Sequence, residues 1–300
     1  MKKKVMKEST AWQIGAHTVM IIGSLLAILP FILLVIASFT DNQTALVNGY
    51  SFTPEKWSLE AYQYIANEWA TIGRAYLMTI LVTVIGTALS LVITSTFAFA
   101  VSNDKLPGHK ILMFLCIFTM LFNGGLVASY YVYSNIFHIK NTIWALIVPT
   151  FLMSPFNVVL VKNYFSNSIS PSILEAARMD GAGVFAVFTK IVMPLSVPIM
   201  ATVGLMTAIG YWNDWTNGLY YLTENGGSQY YTIQLVLNRI NENINFLANN
   251  SDVAAKAAQQ LPSTTMRMAI AVIGILPIMC AYPFFQKYFV KGITLGGVKE

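Results

Sequence analysis

Charge is what this sequence has least of. Only 10% of its 300 residues are Asp, Glu, Lys or Arg, while 56% are hydrophobic. A water-soluble domain carries about 25% charged residues. So little charge cannot cover an aqueous surface, and the bilayer is the natural solvent. The net charge of +5 is modest, and the lysines and arginines lie between apolar segments rather than in one patch. That excludes a nucleic-acid-binding surface. Cysteine is nearly absent. Cys116 and Cys280 both lie in apolar runs; they make no disulfide framework or metal site and read as packing residues. The three histidines, His17, His109 and His138, are far apart and near the ends of apolar segments, which suits interfacial residues rather than catalytic ones. No Ser/His/Asp or Cys/His arrangement stands out, and the phosphate-cradling pattern G-x-x-x-x-G-K-[ST] does not occur. The chain is therefore expected to be non-catalytic and to hold no cofactor of its own.

What is abundant is long apolar runs. A helix needs about 20 apolar residues to cross a bilayer. Six stretches qualify, at residues 14–39, 75–101, 111–134, 141–161, 197–219 and 265–288. The expected architecture is an all-α polytopic membrane protein. A tail of residues 1–13 precedes a transmembrane domain of residues 14–288, and a tail of residues 289–300 follows it. The first run follows Lys2, Lys3, Lys4 and Lys7, but it exceeds the apolar core of about 7–15 residues in a cleaved signal and reads as a retained anchor. With the N-terminus inside, twelve of the 18 Lys and Arg fall on the cytoplasmic side and six outside. That bias puts both termini in the cytoplasm. Two long outer segments result, at residues 40–74 and 220–264. The second is rich in Asn, including Asn241, Asn243, Asn245, Asn249 and Asn250; it is either a connector or a surface for an external partner.

Residues 162–196 fit no span. They are too polar to cross a membrane and too helix-prone for a loose loop. Ser170 and Pro171 suit an N-cap and first helical position. Glu175 follows one turn on, where its carboxylate suits the helix dipole, and Gly181 and Gly183 end the helix. A second helix is expected through Phe185, Phe188, Ile191 and Val192, broken by Pro194. The two phenylalanines give this projecting element apolar surface that wants a partner. Small residues at Ala176, Ala177, Gly181 and Ala182 let another backbone approach, which favours a fitted protein socket over a lipid surface.

The run Glu175-Ala176-Ala177, three residues, Gly181, nine residues, then Ile191-Val192-Met193-Pro194 resembles the EAA motif of binding-protein-dependent ABC permeases. Met193 stands where that motif usually has Leu, a size-conserving swap. The resemblance implies the type I importer permease fold. It also implies that the segment, with Glu175, Ala176, Ala177, Asp180, Gly181, Ile191 and Pro194, is a coupling helix docking on a nucleotide-binding subunit. The implied partners are a second permease, two ATP-binding subunits that hold ATP and Mg, an extracellular binding protein and the bilayer of a bacterial cell membrane. The closing sequence, with Leu276-Pro277, Tyr282-Pro283 and the run from Gln286 to Lys299, is similar to carbohydrate-importer permeases of the MalG-like kind. Phe122-Asn123-Gly124-Gly125 and Tyr211-Trp212-Asn213-Asp214-Trp215 resemble the LplC-type branch, which implies a complex oligosaccharide as substrate.

Sugars need aromatic faces for their C–H surfaces and amides or carboxylates for their hydroxyls. The candidates for a substrate path are Asn123, Tyr130, Tyr131, Asn157, Trp212, Asn213 and Asp214. Trp212 equally suits the aromatic belt at the membrane edge. A threonine stripe at Thr79, Thr83, Thr87 and Thr94 reads as helix packing or as a channel wall. Alternatives are an ABC permease for a non-sugar solute, which the EAA element does not exclude, and an ion-coupled secondary transporter. The latter would show repeated halves and broken, charge-bearing helices, and neither is evident in the sequence.

Overall fold

The apolar runs become helices because a bilayer leaves backbone groups no partners but each other. A computed structural model describes residues 10–248 and 264–297; among these every regular element is a helix, apart from one isolated antiparallel bridge, Thr40 to Trp57. The outermost ends of both expected tails, residues 249–263 of the Asn-rich segment and the side chains of the closing signature from residue 284 on lie outside the described residues. Two units can be distinguished, residues 1–68 with 240–275 and residues 69–239 with 276–300.

In the first unit, α1 (Thr10–Ser38) realises the first expected span and is exposed from Trp12 to Ile32. The segment after it is ordered by local polar contacts. Asp41 accepts the Thr44 N–H at 3.2 Å at the start of α2 (Asn42–Asn48) and pairs with Lys56 at 3.2 Å. The Phe39 ring stacks on Tyr62 of α3 (Glu60–Asn67) at 4.8 Å.

The second unit is organised along α4 (Trp69–Ser102), which covers the second expected span. Its buried stripe includes Thr79, Val82, Gly86, Ser90, Thr94 and Ala98, small or hydroxyl-bearing residues that let other helices approach closely. The Thr79 hydroxyl donates to the Ala75 carbonyl at 2.8 Å and accepts the Ile233 N–H at 2.9 Å. At that residue the threonine stripe is a packing feature.

The third, fourth and fifth expected spans are not straight helices. Residues 111–134 divide into α5 (His109–Leu121) and α6 (Gly125–Tyr131), which runs on as a π turn to Ile136. The two parts bend by 119°. The break is chemical: the Asn123 side-chain oxygen accepts the Gly125 N–H at 2.8 Å, and Gly125 has φ +81°, a conformation open mainly to glycine. Residues 141–161 give only a short helix, α7 (Trp144–Ile147), an irregular stretch, and α8 (Pro155–Ser168), which runs beyond the expected span. Pro149 and Pro155 interrupt the ladder, and Thr150 takes φ +69°. Irregular backbone at membrane depth must be satisfied from elsewhere, and it is. Tyr211 donates to the Ile147 carbonyl at 2.8 Å and Ser90 to that of Phe151 at 3.0 Å.

Next come α9 (Pro171–Met179), α10 (Val184–Val187), a π turn, and α11 (Met193–Leu195). The chain bends by 79° at Ser196 into α12 (Val197–Asn213). The fifth expected span therefore stops at Asn213, and α13 (Thr216–Tyr221) is a separate turn of helix. After α14 (Glu224–Gly227) and α15 (Ile233–Ala248), the sixth expected span lies within α16 (Thr264–Gly297). Trp12–Ser38 and Trp69–Ser102 are each long and apolar enough to cross a membrane, and each of the two bent pairs reaches that length together. Cys116 is buried as expected, but Cys280 is exposed on α16, so the packing reading fails there within this chain.

Candidate functional site

The segment between α8 and α12 is built around its turn. The Ala182 N–H donates to the Ala177 carbonyl at 2.9 Å and the Gly181 N–H to the Arg178 carbonyl at 3.0 Å. That pair of bonds is a Schellman closure, with Asp180 as the C-cap and Gly181 at the left-handed position, φ +81°. Ser170 occupies the N-cap position, but its hydroxyl engages Ser172 at 2.7 Å instead of capping the backbone.

The turn divides the segment into two faces. Leu174, Ala177 and Ala182 pack onto a buried cluster that includes Val158, Val161, Val187 and Met200. The segment is thus anchored to the spans by its own apolar side. Tyr164 on α8 adds a hydrogen bond to the Leu195 carbonyl at 3.2 Å. Outward stand Met179, Val184 and Phe185, 88%, 73% and 78% exposed, and Glu175, Ala176 and Asp180 are exposed too. Such a concentration of apolar surface on a short polar element makes this face a candidate interaction site. Phe188 was expected to share that exposure but stands at the start of the π turn and is half-buried against Phe99, ring centroids 5.1 Å apart. Ile191 is half-buried and Pro194 exposed. Beside α9 a cleft of about 290 Å³ is lined by Asn103, Asp104, Lys105, Glu175 and Arg178, with Phe165 and Ile169 among its apolar members.

Each substrate-path candidate has its own neighbours. Asn123 is exposed at the α5–α6 break, where its side chain closes a turn. Tyr130 is half-buried, accepts a hydrogen bond from Lys140 at 2.7 Å and stacks on Tyr221 at 5.8 Å; Tyr131 is 59% exposed. Asn157 is buried and donates to Thr207 at 3.3 Å, joining α8 to α12. Trp212 is buried and meets the Tyr76 ring edge-to-face, centroids 6.2 Å apart. Asn213 is exposed and donates back to the Ile209 carbonyl at 3.0 Å. Asp214 is buried, its carboxylate accepting the N–H groups of Thr216 at 3.0 Å and Asn217 at 3.2 Å at the start of α13.

Residues 90–295 match the family described as binding-protein-dependent transport system inner membrane component. This chain is a member of that family. It is 36% identical to the polygalacturonan/rhamnogalacturonan transport system permease protein YtcP of Bacillus subtilis, over 92% of this chain and 94% of that one. With protein LplC of the same organism it shares 34% identity over 91% and 90%. A solved bacterial ABC transporter involved in the import of the acidic polysaccharide alginate contains a chain that superposes with a TM-score of 0.78 at 27% identity, covering 93% of this chain and 96% of that one.

Within this inner membrane transport component, sequence reasoning missed three structural roles. Gly86 admits the Tyr211 ring, Asn141 clamps the segment after α13, and Lys140 holds Tyr130. Asn141 carried a usable signal: Asn tolerates the left-handed conformation, and here it adopts φ 59°. The other two depend on contacts distant in sequence or on a turn whose shape the residues alone do not specify.

Proposed function

We propose that this permease is one of two membrane-spanning halves of an ATP-driven importer of an oligosaccharide delivered by an extracellular binding protein. The observation that carries the coupling role is the outward apolar face of Met179, Val184 and Phe185 beyond the Schellman turn at Gly181. In this reading two ATP-binding subunits, carrying ATP and Mg, receive that face, with Glu175, Ala176, Ala177, Asp180, Ile191 and Pro194 around it. Closure of those subunits then moves α9 and, through Leu174 and Ala177, the buried cluster of the spans. Both termini and the α9–α11 segment lie in the cytoplasm, which agrees with the lysine distribution. The second permease is a different chain, and this chain needs no cofactor.

Carbohydrate as the cargo is supported by the names of the relatives, which concern polygalacturonan, rhamnogalacturonan and alginate. Asn123, Tyr131 and Asn213 are the path candidates with exposed side chains. The test is reconstitution of the complete complex with its binding protein, reading ATPase stimulation and uptake of a panel of glycans. Stimulation by oligosaccharides is expected. Stimulation by a non-sugar solute and by no glycan would replace this reading with that of a permease for another solute.

A further inference from the structure

The loop that follows α1 turns its apolar side chains away from the protein. Its base is pinned twice. Thr40 and Trp57 form the isolated antiparallel bridge, and the Asp41 N–H donates to the Lys56 carbonyl at 3.0 Å while the two side chains pair at 3.2 Å. Farther out, the Asn48 amide donates to the Glu55 carboxylate at 3.1 Å, and the Ser51 hydroxyl oxygen accepts the Thr53 N–H at 3.2 Å. The loop is thus held in shape, and it spends several of its polar groups on itself. Its apolar side chains do the opposite. Leu46, Val47, Tyr50 and Phe52, all within one short stretch at the far end, are exposed, Val47 at 81%. Apolar groups gathered outward over internally paired polar ones suit a surface that meets an apolar medium rather than water.

The depth of the loop follows from α1. Every residue from Trp12 to Ile32 is exposed, and at about 1.5 Å per residue that run rises roughly 30 Å, the thickness of a hydrocarbon core. Beyond it the helix becomes covered. Ala37, Ser38 and Thr40 are buried, and the hydroxyls of Ser38 and Tyr62 are hydrogen-bonded at 2.8 Å. Ser38 lies about 9 Å past Ile32 along the helix, at the level of the headgroups. The base of the loop is attached there. The lipid-facing surface of α1 therefore ends where the apolar end of the loop begins, in the layer that favours amphipathic rings such as that of Tyr50. A protein interface of ordinary kind carries roughly one hydrogen bond per 100–200 Å², whereas a lipid surface needs only apolar burial.

We infer that the loop of residues 42–56 is an interfacial anchor, inserting Leu46, Val47, Tyr50 and Phe52 at the headgroup–acyl boundary of the leaflet in which α1 ends. The partner is the lipid surface itself, and the inference does not depend on what the transporter carries.

The test uses the complete complex in vesicles of phosphatidylcholine and phosphatidylglycerol. An environment-sensitive fluorophore is attached at Val47→Cys or, as an independent second site, at Phe52→Cys, in a complex whose other cysteines are replaced. Ile22→Cys, midway along the exposed run of α1, is the hydrocarbon reference. Labelled complexes that retain uptake are compared. The loop probes are expected to emit to the blue of the same fluorophore free in buffer and to be protected from iodide. Lipid with a doxyl group beside the headgroup should quench them more than lipid with the group at the chain end, and the Ile22 probe should reverse that order. Iodide quenching as strong as for the free fluorophore would place the loop in water and overturn the inference. Quenching by neither lipid nor iodide would mean that the second permease covers the loop. Protection gained only on adding the binding protein would make the loop a docking surface. Either result would equally overturn the lipid anchor.

Discussion

The ring of Tyr211 lies so close on Gly86 that a β-carbon at residue 86 would stand 2.5 Å from its Cζ. The ring cannot easily retreat, because its hydroxyl is bonded to the Ile147 carbonyl and its other neighbour is Phe151 at 5.2 Å. Gly86→Ala is therefore expected to overpack the α4–α12 seam and cost about 1–3 kcal/mol. Tyr211→Phe keeps the shape, strands the Ile147 carbonyl, and should cost about 1–3 kcal/mol. Unfolding of the purified chain in mixed micelles reads both. A Gly86→Ala protein as stable as wild type would refute the close approach.

At Gly181 the constraint is backbone conformation rather than space. Nothing lies within 4 Å of a β-carbon there, but φ is +81°. A left-handed residue with a β-carbon costs roughly 1–2 kcal/mol, and Asn tolerates it best. Coupling of ATP hydrolysis to uptake should fall in the order Asn, Ala, Val at this position, with normal membrane insertion throughout. Normal uptake by the Gly181→Val complex would remove the docking role from this turn.

The legibility of the chain follows the range of the forces involved. The α9 turn was readable because its determinants are local: Pro171 starts the helix, Gly181 ends it, and the motif spacing spans only twenty residues of sequence. Long apolar runs likewise marked α1 and α4. The irregular stretch before α8 was not readable as such. Pro149 and Pro155 were visible, but the partners that make an unwound backbone tolerable, Ser90 and Tyr211, are 61 and 64 residues from the carbonyls they serve. The 119° bend at Asn123 lay inside a stretch apolar enough to count as a span. Its own Asn-Gly-Gly sequence was a turn signal outweighed by hydropathy.

Asn157 separates a sugar contact from helix glue. Its bond to Thr207 at 3.3 Å is buried between α8 and α12. A double-mutant cycle with Asn157→Ala and Thr207→Val should give a coupling of about 0.6 kcal/mol in stability, the average for such bonds between membrane helices. Purely additive stability effects, together with a loss of glycan-stimulated ATPase in Asn157→Ala alone, would return Asn157 to the substrate path.

Asp41 gives a pH dependence. The Thr44 N–H, and then the hydrogen bond from Lys56, hold its carboxyl below the usual 3.8, against a smaller opposing effect of burial. A lowered carboxylate contributes stability that is fully present above 3.8 and is lost as pH falls through the lower folded-state value. Amide exchange at residues 40–48 should therefore stay slow at neutral pH and quicken only below 3.8. Asp41→Ala, which loses both the cap acceptor and the partner of Lys56, should show the fast exchange at every pH. Slow exchange in that variant at neutral pH would show that the ion pair and cap contribute nothing measurable.

Asp214 is where charge and geometry can be told apart. Its Oδ1 accepts two backbone N–H groups at the head of α13, and Asn217 of that helix reaches the Pro149 carbonyl at 3.4 Å. An amide oxygen can accept those same bonds. Asp214→Asn is therefore expected to stay within about 0.5 kcal/mol of wild type and to import normally, while Asp214→Ala loses the cap and about 1 kcal/mol. Thermal unfolding and uptake, measured on both variants, decide it. If Asp214→Asn were stable yet unable to import, the negative charge rather than the cap would be what the transporter uses.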